Sequence, residues 1–218
     1  MSAPWRALPV VAGVGGSAVL GGCVAMSALA YRGTQGEPYS PLSHWISELG
    51  EEGVSELAPV FNGGVVVGGV CFGAVMASLA AARGGPLAIA YGAIGVAAGI
   101  AGALVGVFPM NRVVAHGITS TSFFNLAAVA IALASADIAI RPDGRFRRRL
   151  AAVGAVAAGV ITSFVVATSS AVQAQGLEVL EPPADRSAVS ALTSLEWAAL
   201  VLIVAWVLAT SAAWRDAR

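Results

Sequence analysis

Six long apolar blocks, separated by short polar stretches, set the pattern of this chain. Crossing ~30 Å of hydrocarbon takes about 20 residues of helix, and every block is long enough. The blocks lie near 7–31, 57–82, 86–108, 113–139, 150–174 and 190–213. The connections 83–85 and 109–112 are so short that they predict tight turns between antiparallel neighbours. The expected fold is an all-α six-transmembrane-helix bundle, a single membrane domain over 1–218.

One polar-rich stretch interrupts the pattern. Tyr39 to Gly50 reads Y-S-P-L-S-H-W-I-S-E-L-G and predicts a short amphipathic interfacial helix over about 40–50. Ser40 suits its cap and Pro41 its first turn, and Gly50 is a natural stop. Leu42, Trp45, Ile46 and Leu49 form one apolar stripe, while His44, Ser47, Glu48 and Glu51 fall opposite. Such a helix between spans is expected to lie at the bilayer surface.

Composition agrees with a membrane protein. Of 218 residues, 57% are hydrophobic and 11% charged, where a soluble domain carries about 25% charged. The formal charge is zero, yet it is unevenly placed. All twelve basic residues are arginine. With the N-terminus inside, Arg6, Arg83, Arg141, Arg145, Arg147, Arg148, Arg149, Arg215 and Arg218 fall on the cytoplasmic side, leaving Arg32, Arg112 and Arg186 outside. That asymmetry predicts a cell-membrane protein with both termini cytoplasmic. Positive-inside topology accounts for the run 141–149, although Arg145, Arg147, Arg148 and Arg149 also suit anionic headgroups. No tract suits nucleic acid, and no cofactor is implied.

Cys23 and Cys71 belong to different apolar blocks at different depths, so no disulfide is expected between them. Leu20-Gly21-Gly22-Cys23 resembles a lipoprotein cleavage site, but the apolar run continues to Tyr31 and reads as an uncleaved span. Glycines four apart (Gly64/Gly68, Gly69/Gly73, Gly95/Gly99, Gly102/Gly106), with Gly13, Ser17 and Gly21, predict close backbone approach between spans.

In this orientation the polar residues collect at the outer side. His44 and Glu48 sit on the surface segment, Asn62 enters the second span, and Asn111 precedes the fourth. His116 lies about one turn into the fourth span and Glu196 about two turns into the sixth. Charged groups within spans turn toward partners or a wet cavity, so these six are expected to converge. His116, Thr119 and Ser120 share a helical face, where interhelical hydrogen bonding is the simpler role for the hydroxyls.

I-S-E-L-G at 46–50, F-N-G-G at 61–64 and G-V-F-P-M-N at 106–111, with His116 soon after, resemble the bacterial membrane family catalogued as domain of unknown function 998. The pattern is also similar to the eukaryotic DRAM/Sfk/Frag group, whose members are linked to lipid handling. The resemblance implies a six-helix membrane bundle and matches Ser47, Glu48, Gly50, Asn62, Pro109, Asn111 and His116. It implies no reaction.

Two functional classes follow. A lipid-interacting protein would hold a lipid or hydrophobic small molecule in an outer-face pocket, with His44, Ser47, Asn62, Asn111, Thr119 and Ser120 as binding residues. An intramembrane enzyme on a lipid or isoprenoid, cyclase-like or hydrolase-like, would use Glu48, His116 and Glu196 as acid–base groups. Neither G-x-S-x-G nor H-E-x-x-H occurs. His44 and Glu48 are the only closely spaced candidate metal ligands, too few to predict a metal site. A transporter is the weakest reading, for want of an inverted repeat.

Overall fold

The structure, a computed structural model, describes residues 7–143, 146–182 and 187–215. Six helices are long and apolar enough to cross a membrane: α1 (Leu8–Ala30), α2 (Ala58–Arg83), α3 (Pro86–Val107), α4 (Val113–Ile140), α5 (Arg148–Gln175) and α6 (Ala191–Arg215). The protein is a membrane-embedded helical bundle. Every helix end falls within two residues of its predicted place, because the length of an apolar run is itself what a bilayer selects. Arg6 and Arg145, together with Asp185, Arg186 and Arg218, lie outside the described residues.

The first helix carries a π turn at Val11–Gly15. Close by, the Ser211 hydroxyl of α6 donates to the Pro9 carbonyl at 3.0 Å. A Cβ on Gly13 would stand 1.8 Å from the Ser211 hydroxyl oxygen, so a larger residue would force these helices apart. The same argument joins α2 to α3, where a Cβ on Gly69 would meet the backbone of Ala103 at 2.3 Å. In lipid, where neighbouring tails are as apolar as leucine, this close backbone approach is the main route to stable packing. Gly21 is the exception to the predicted small-residue pattern, since open space surrounds it. Cys23 and Cys71 are free thiols.

Gly84 and Gly85 both take positive φ, 65° and 89°, a conformation glycine adopts without strain. They make the tight turn between α2 and α3. Arg83 just before it joins a buried ion network at this end of the bundle. Its Nε donates to Asp137 Oδ2 at 2.7 Å and its Nη1 to Asp143 at 2.9 Å. Arg141 donates to the other Asp137 oxygen, with its Nε at 2.9 Å. The Arg83 guanidinium also lies 5.8 Å from the centre of the Phe146 ring, which packs edge-on against Trp214.

At the opposite end the expected interfacial helix takes another form. Only Ile46–Gly50 is helical, as a short 3-10 segment, following a turn in which the His44 N–H donates to the Ser40 carbonyl at 2.9 Å. The predicted stripe is split. Trp45 joins the main core, Ile46 and Leu49 join a second cluster with Val24, Tyr31 and Phe61, and Leu42 is half exposed. His44 and Glu48, expected on the polar face of that helix, are buried at 2% and 0% exposure. The physical reason is that the segment plugs the end of the bundle, so both of its faces meet protein. A regular amphipathic helix would leave its first N–H groups without partners in that apolar setting; here two buried carboxylates accept them.

Candidate functional site

Those two carboxylates are Glu48 and Glu196. The Trp45 N–H donates to Glu48 Oε1 at 2.8 Å, and the Ile46 N–H donates to Glu196 Oε2 at 2.7 Å. Glu48 also accepts from the Tyr31 hydroxyl at 3.1 Å. Beside them, the Tyr39 hydroxyl donates to the Trp45 carbonyl at 3.1 Å and accepts from Trp197 Nε1 at 3.0 Å. Burial, and then the nearby Glu196 carboxylate, push the Tyr39 phenol well above its usual range. It therefore stays protonated and keeps donating.

Most of the other predicted residues serve this plug. His44 packs edge-on against Tyr31 and tilted against Tyr39, with ring centres at 5.6 and 5.2 Å, and its Nε2 is 3.9 Å from Glu37. Asn62 donates to the Gly50 carbonyl at 3.0 Å. Asn111 grips Glu52 from both sides, accepting from its N–H at 2.7 Å and donating to its carbonyl at 2.9 Å. Thr119 returns its hydroxyl proton to its own helix, at Ala115 and His116. Among the described residues, no group of three or more His, Cys, Asp or Glu stands close enough to hold a metal. Arg147, Arg148 and Arg149 are exposed around the start of α5.

Two cavities meet beneath the plug. The wider, about 1030 Å³, lies between α4 and α5 under the 45–51 segment, with Met110, Asn111, Phe164, Thr168 and Leu180 among its walls. The narrower, about 110 Å³, is an apolar slot bounded by α1, α2, α3, α4 and α6. Five residues line both: Ser47, His116, Ser120, Phe124 and Glu196. Four of these five were predicted site residues. His44, Glu48, Asn62 and Thr119 line neither, whereas Asn111 lines the wider one.

The geometry fixes which atoms of this partition remain available. His116 Nδ1 stands 2.8 Å from the Phe108 carbonyl. A carbonyl only accepts, so Nδ1 carries the proton and Nε2 keeps a lone pair. Glu196 holds Ile46 through one oxygen, leaving the other. Phe124 backs the partition within a chain of edge-packed rings, 5.1 Å from Phe123 and 4.8 Å from Phe164. Sequence reasoning missed Thr168. Its buried hydroxyl has no partner and it lines the wider cavity; the sequence signal was the hydroxyl run Thr168-Ser169-Ser170 near the end of an apolar block.

Six membrane-crossing helices enclosing a cavity with a polar partition define the class: a multi-span membrane protein with an internal cavity. The chain belongs to the family described as Protein of unknown function (DUF998), whose model matches residues 19–213. No curated protein matches the chain. No solved structure matches it.

Proposed function

We propose that this protein binds a membrane amphiphile, with the head at the partition and the hydrocarbon in the cleft between α4 and α5. One observation carries the reading: Ser47, His116, Ser120 and Glu196 line both the wide cavity and the apolar slot. A volume of about 1030 Å³ is at the upper end of the ~300–1,000 Å³ typical of small-molecule sites, which likewise pair apolar walls with a few placed polar groups. Val114 and Ile118 on α4 and Leu177 beyond α5 border the cavity and are themselves exposed. That apolar rim suits entry from lipid rather than from water. In this reading the plug end faces outward and the Arg83 end faces the cytoplasm of a cell membrane, as the arginine distribution supports. Exposed Arg147, Arg148 and Arg149 then meet anionic headgroups of the inner leaflet.

The test is lipid co-purification. Protein extracted in several detergents is expected to carry one lipid class above its share of the bulk membrane, and Ser120→Phe, which fills the partition, should lose it while keeping its thermal stability. The absence of any enriched class across the detergents would defeat the reading.

A second reading has its own observation. The free His116 Nε2 and the free Glu196 oxygen line the same cavity, as an acid–base pair acting on a lipid or isoprenoid would require. Glu48, which holds Trp45 and Tyr31, then supports the plug and takes no part in the chemistry. Turnover that survives Glu196→Gln and His116→Gln together would exclude that pair.

A further inference from the structure

The apolar slot beneath the plug has a length, a mouth and a floor. Its lining runs from Val24 down to Ala12 on α1, from Phe61 to Phe72 on α2 and from Glu196 to Val207 on α6. At ~1.5 Å per residue each of these runs covers about 16–18 Å, so the slot follows the helix axes away from the plug. That depth is close to half of the ~30 Å hydrocarbon core, the depth of one leaflet. The polar groups stand at the mouth, where Ser47, His116, Ser120 and Glu196 form the partition. Below them, among the described lining residues, only the Ser17 hydroxyl and the Cys71 thiol are polar. The floor is the contact of α1 with α6. A Cβ on Gly13 would stand 3.4 Å from Val207 and collide with Ser211, which donates to the Pro9 carbonyl at 3.0 Å.

The slot is also narrow. About 110 Å³ drawn out over that depth leaves a passage one chain wide, and its walls have no slack. Leu20 is seated against Gly68, where a Cβ would stand 3.2 Å from its Cδ2, and Phe123 against Gly102, where a Cβ would stand 2.9 Å from the ring. A head at the partition has apolar walls on both sides, Phe164 and Val172 in the cleft and Leu200 and Val204 in the slot. We infer that the slot receives one straight hydrocarbon chain, and that the ligand is a two-chain lipid whose head rests on the partition between the slot and the α4–α5 cleft. The inference rests on the amphiphile-binding reading and specifies its ligand. A chain that leaves the bilayer for the slot exchanges one apolar surrounding for another, so the slot selects by shape and not by hydrophobic drive. A methyl-branched chain has to force the walls apart, and overpacking of that kind corresponds to a loss of about fivefold or more.

The experiment is native mass spectrometry of the full chain in detergent, challenged with pairs of lipids that share a head and differ in their chains. One pair is dipalmitoyl- and diphytanoylphosphatidylcholine, the other dipalmitoyl- and diphytanoylglycerol, so the contribution of the head cancels within each pair. The expected result is straight-chain adducts at least about fivefold above branched ones for the head that binds. Val204→Trp puts an indole about 12 Å below the level of Glu196 and should bring that ratio toward one. Val201→Trp, on the exposed side of the same helix, should leave it unchanged. Equal uptake of straight and branched lipids by the parent overturns the inference and leaves the binding reading standing. A straight-chain preference that survives Val204→Trp does the same. Adducts from none of the four lipids overturn both. If Val204→Trp does not fold, Ser17→Leu narrows the slot from α1, about 10 Å below the level of Val24, and is read in the same way.

Discussion

The two ends of the bundle treat their polar groups in opposite ways. At the Arg83 end, Asp137 is 1% exposed and both of its oxygens are claimed by arginines, while Arg83 also reaches Asp143 and the Arg141 carbonyl. At the plug end, Glu196 is similarly buried, but only one of its oxygens is bound and a cavity stands beside the other. A buried charge with complete partners is a fixed point of a fold, since removing one partner strands the rest. A buried carboxyl group left half-partnered beside a cavity has an oxygen open to whatever enters. On the proposed reading, structural work lies at one end and recognition at the other.

The comparison can be broken most forcefully at Asp137. Asp137→Ala takes from Arg83 its buried carboxylate, leaving it Asp143 and backbone carbonyls, and is expected to cost about 3 kcal/mol, read as a large fall in the midpoint of thermal unfolding in detergent. A fall no greater than that of a surface variant would mean that the network does not anchor this end. Next in size is Glu48→Ala, which removes the acceptor for the Trp45 N–H and the Tyr31 hydroxyl. A loss of about 1–3 kcal/mol is expected, with the choice among lipid heads unchanged if the plug is structural. A changed head preference would return Glu48 to the site.

Glu196→Gln sharpens the contrast. Its carbonyl keeps the Ile46 bond, so the stability change should stay within about 1 kcal/mol while lipid binding shifts strongly. A variant that unfolds as Asp137→Ala does would make Glu196 a second anchor and erase the distinction between the ends. The smallest effect is expected at Arg141. Its side chain is 48% exposed and Asp137 retains Arg83 without it, so Arg141→Ala should cost less than about 1 kcal/mol. Denaturation of Arg141→Ala and Asp137→Ala side by side would check that ranking.

The spans were legible in the sequence because a bilayer reads apolar length directly. The packing contacts of Gly13 and Gly69 were legible because small residues at helical spacing have few other uses in lipid. The gathering of Ser47, His116, Ser120 and Glu196 was also within reach, since topology puts all four at one end. What misled was the assumption of a regular helix over 40–50. That spacing placed His44 and Glu48 together on one polar face, but it could not show that the N–H groups of Trp45 and Ile46 would need buried acceptors. Asn62 and Asn111 were likewise legible as polar residues near the site but not as clamps on Gly50 and Glu52, which depend on contacts between distant segments. The Arg83–Asp137 network joins residues 54 apart in the chain. From sequence those arginines were signs of topology alone.

The most direct test of the central claim is a structure determined from native lipid with no ligand added. The account predicts elongated density in the cleft between α4 and α5, its polar end within hydrogen-bonding distance of His116 Nε2 and the free oxygen of Glu196. A closed cleft in which Glu196 and His116 bond to each other would contradict it and make the partition one more internal polar network.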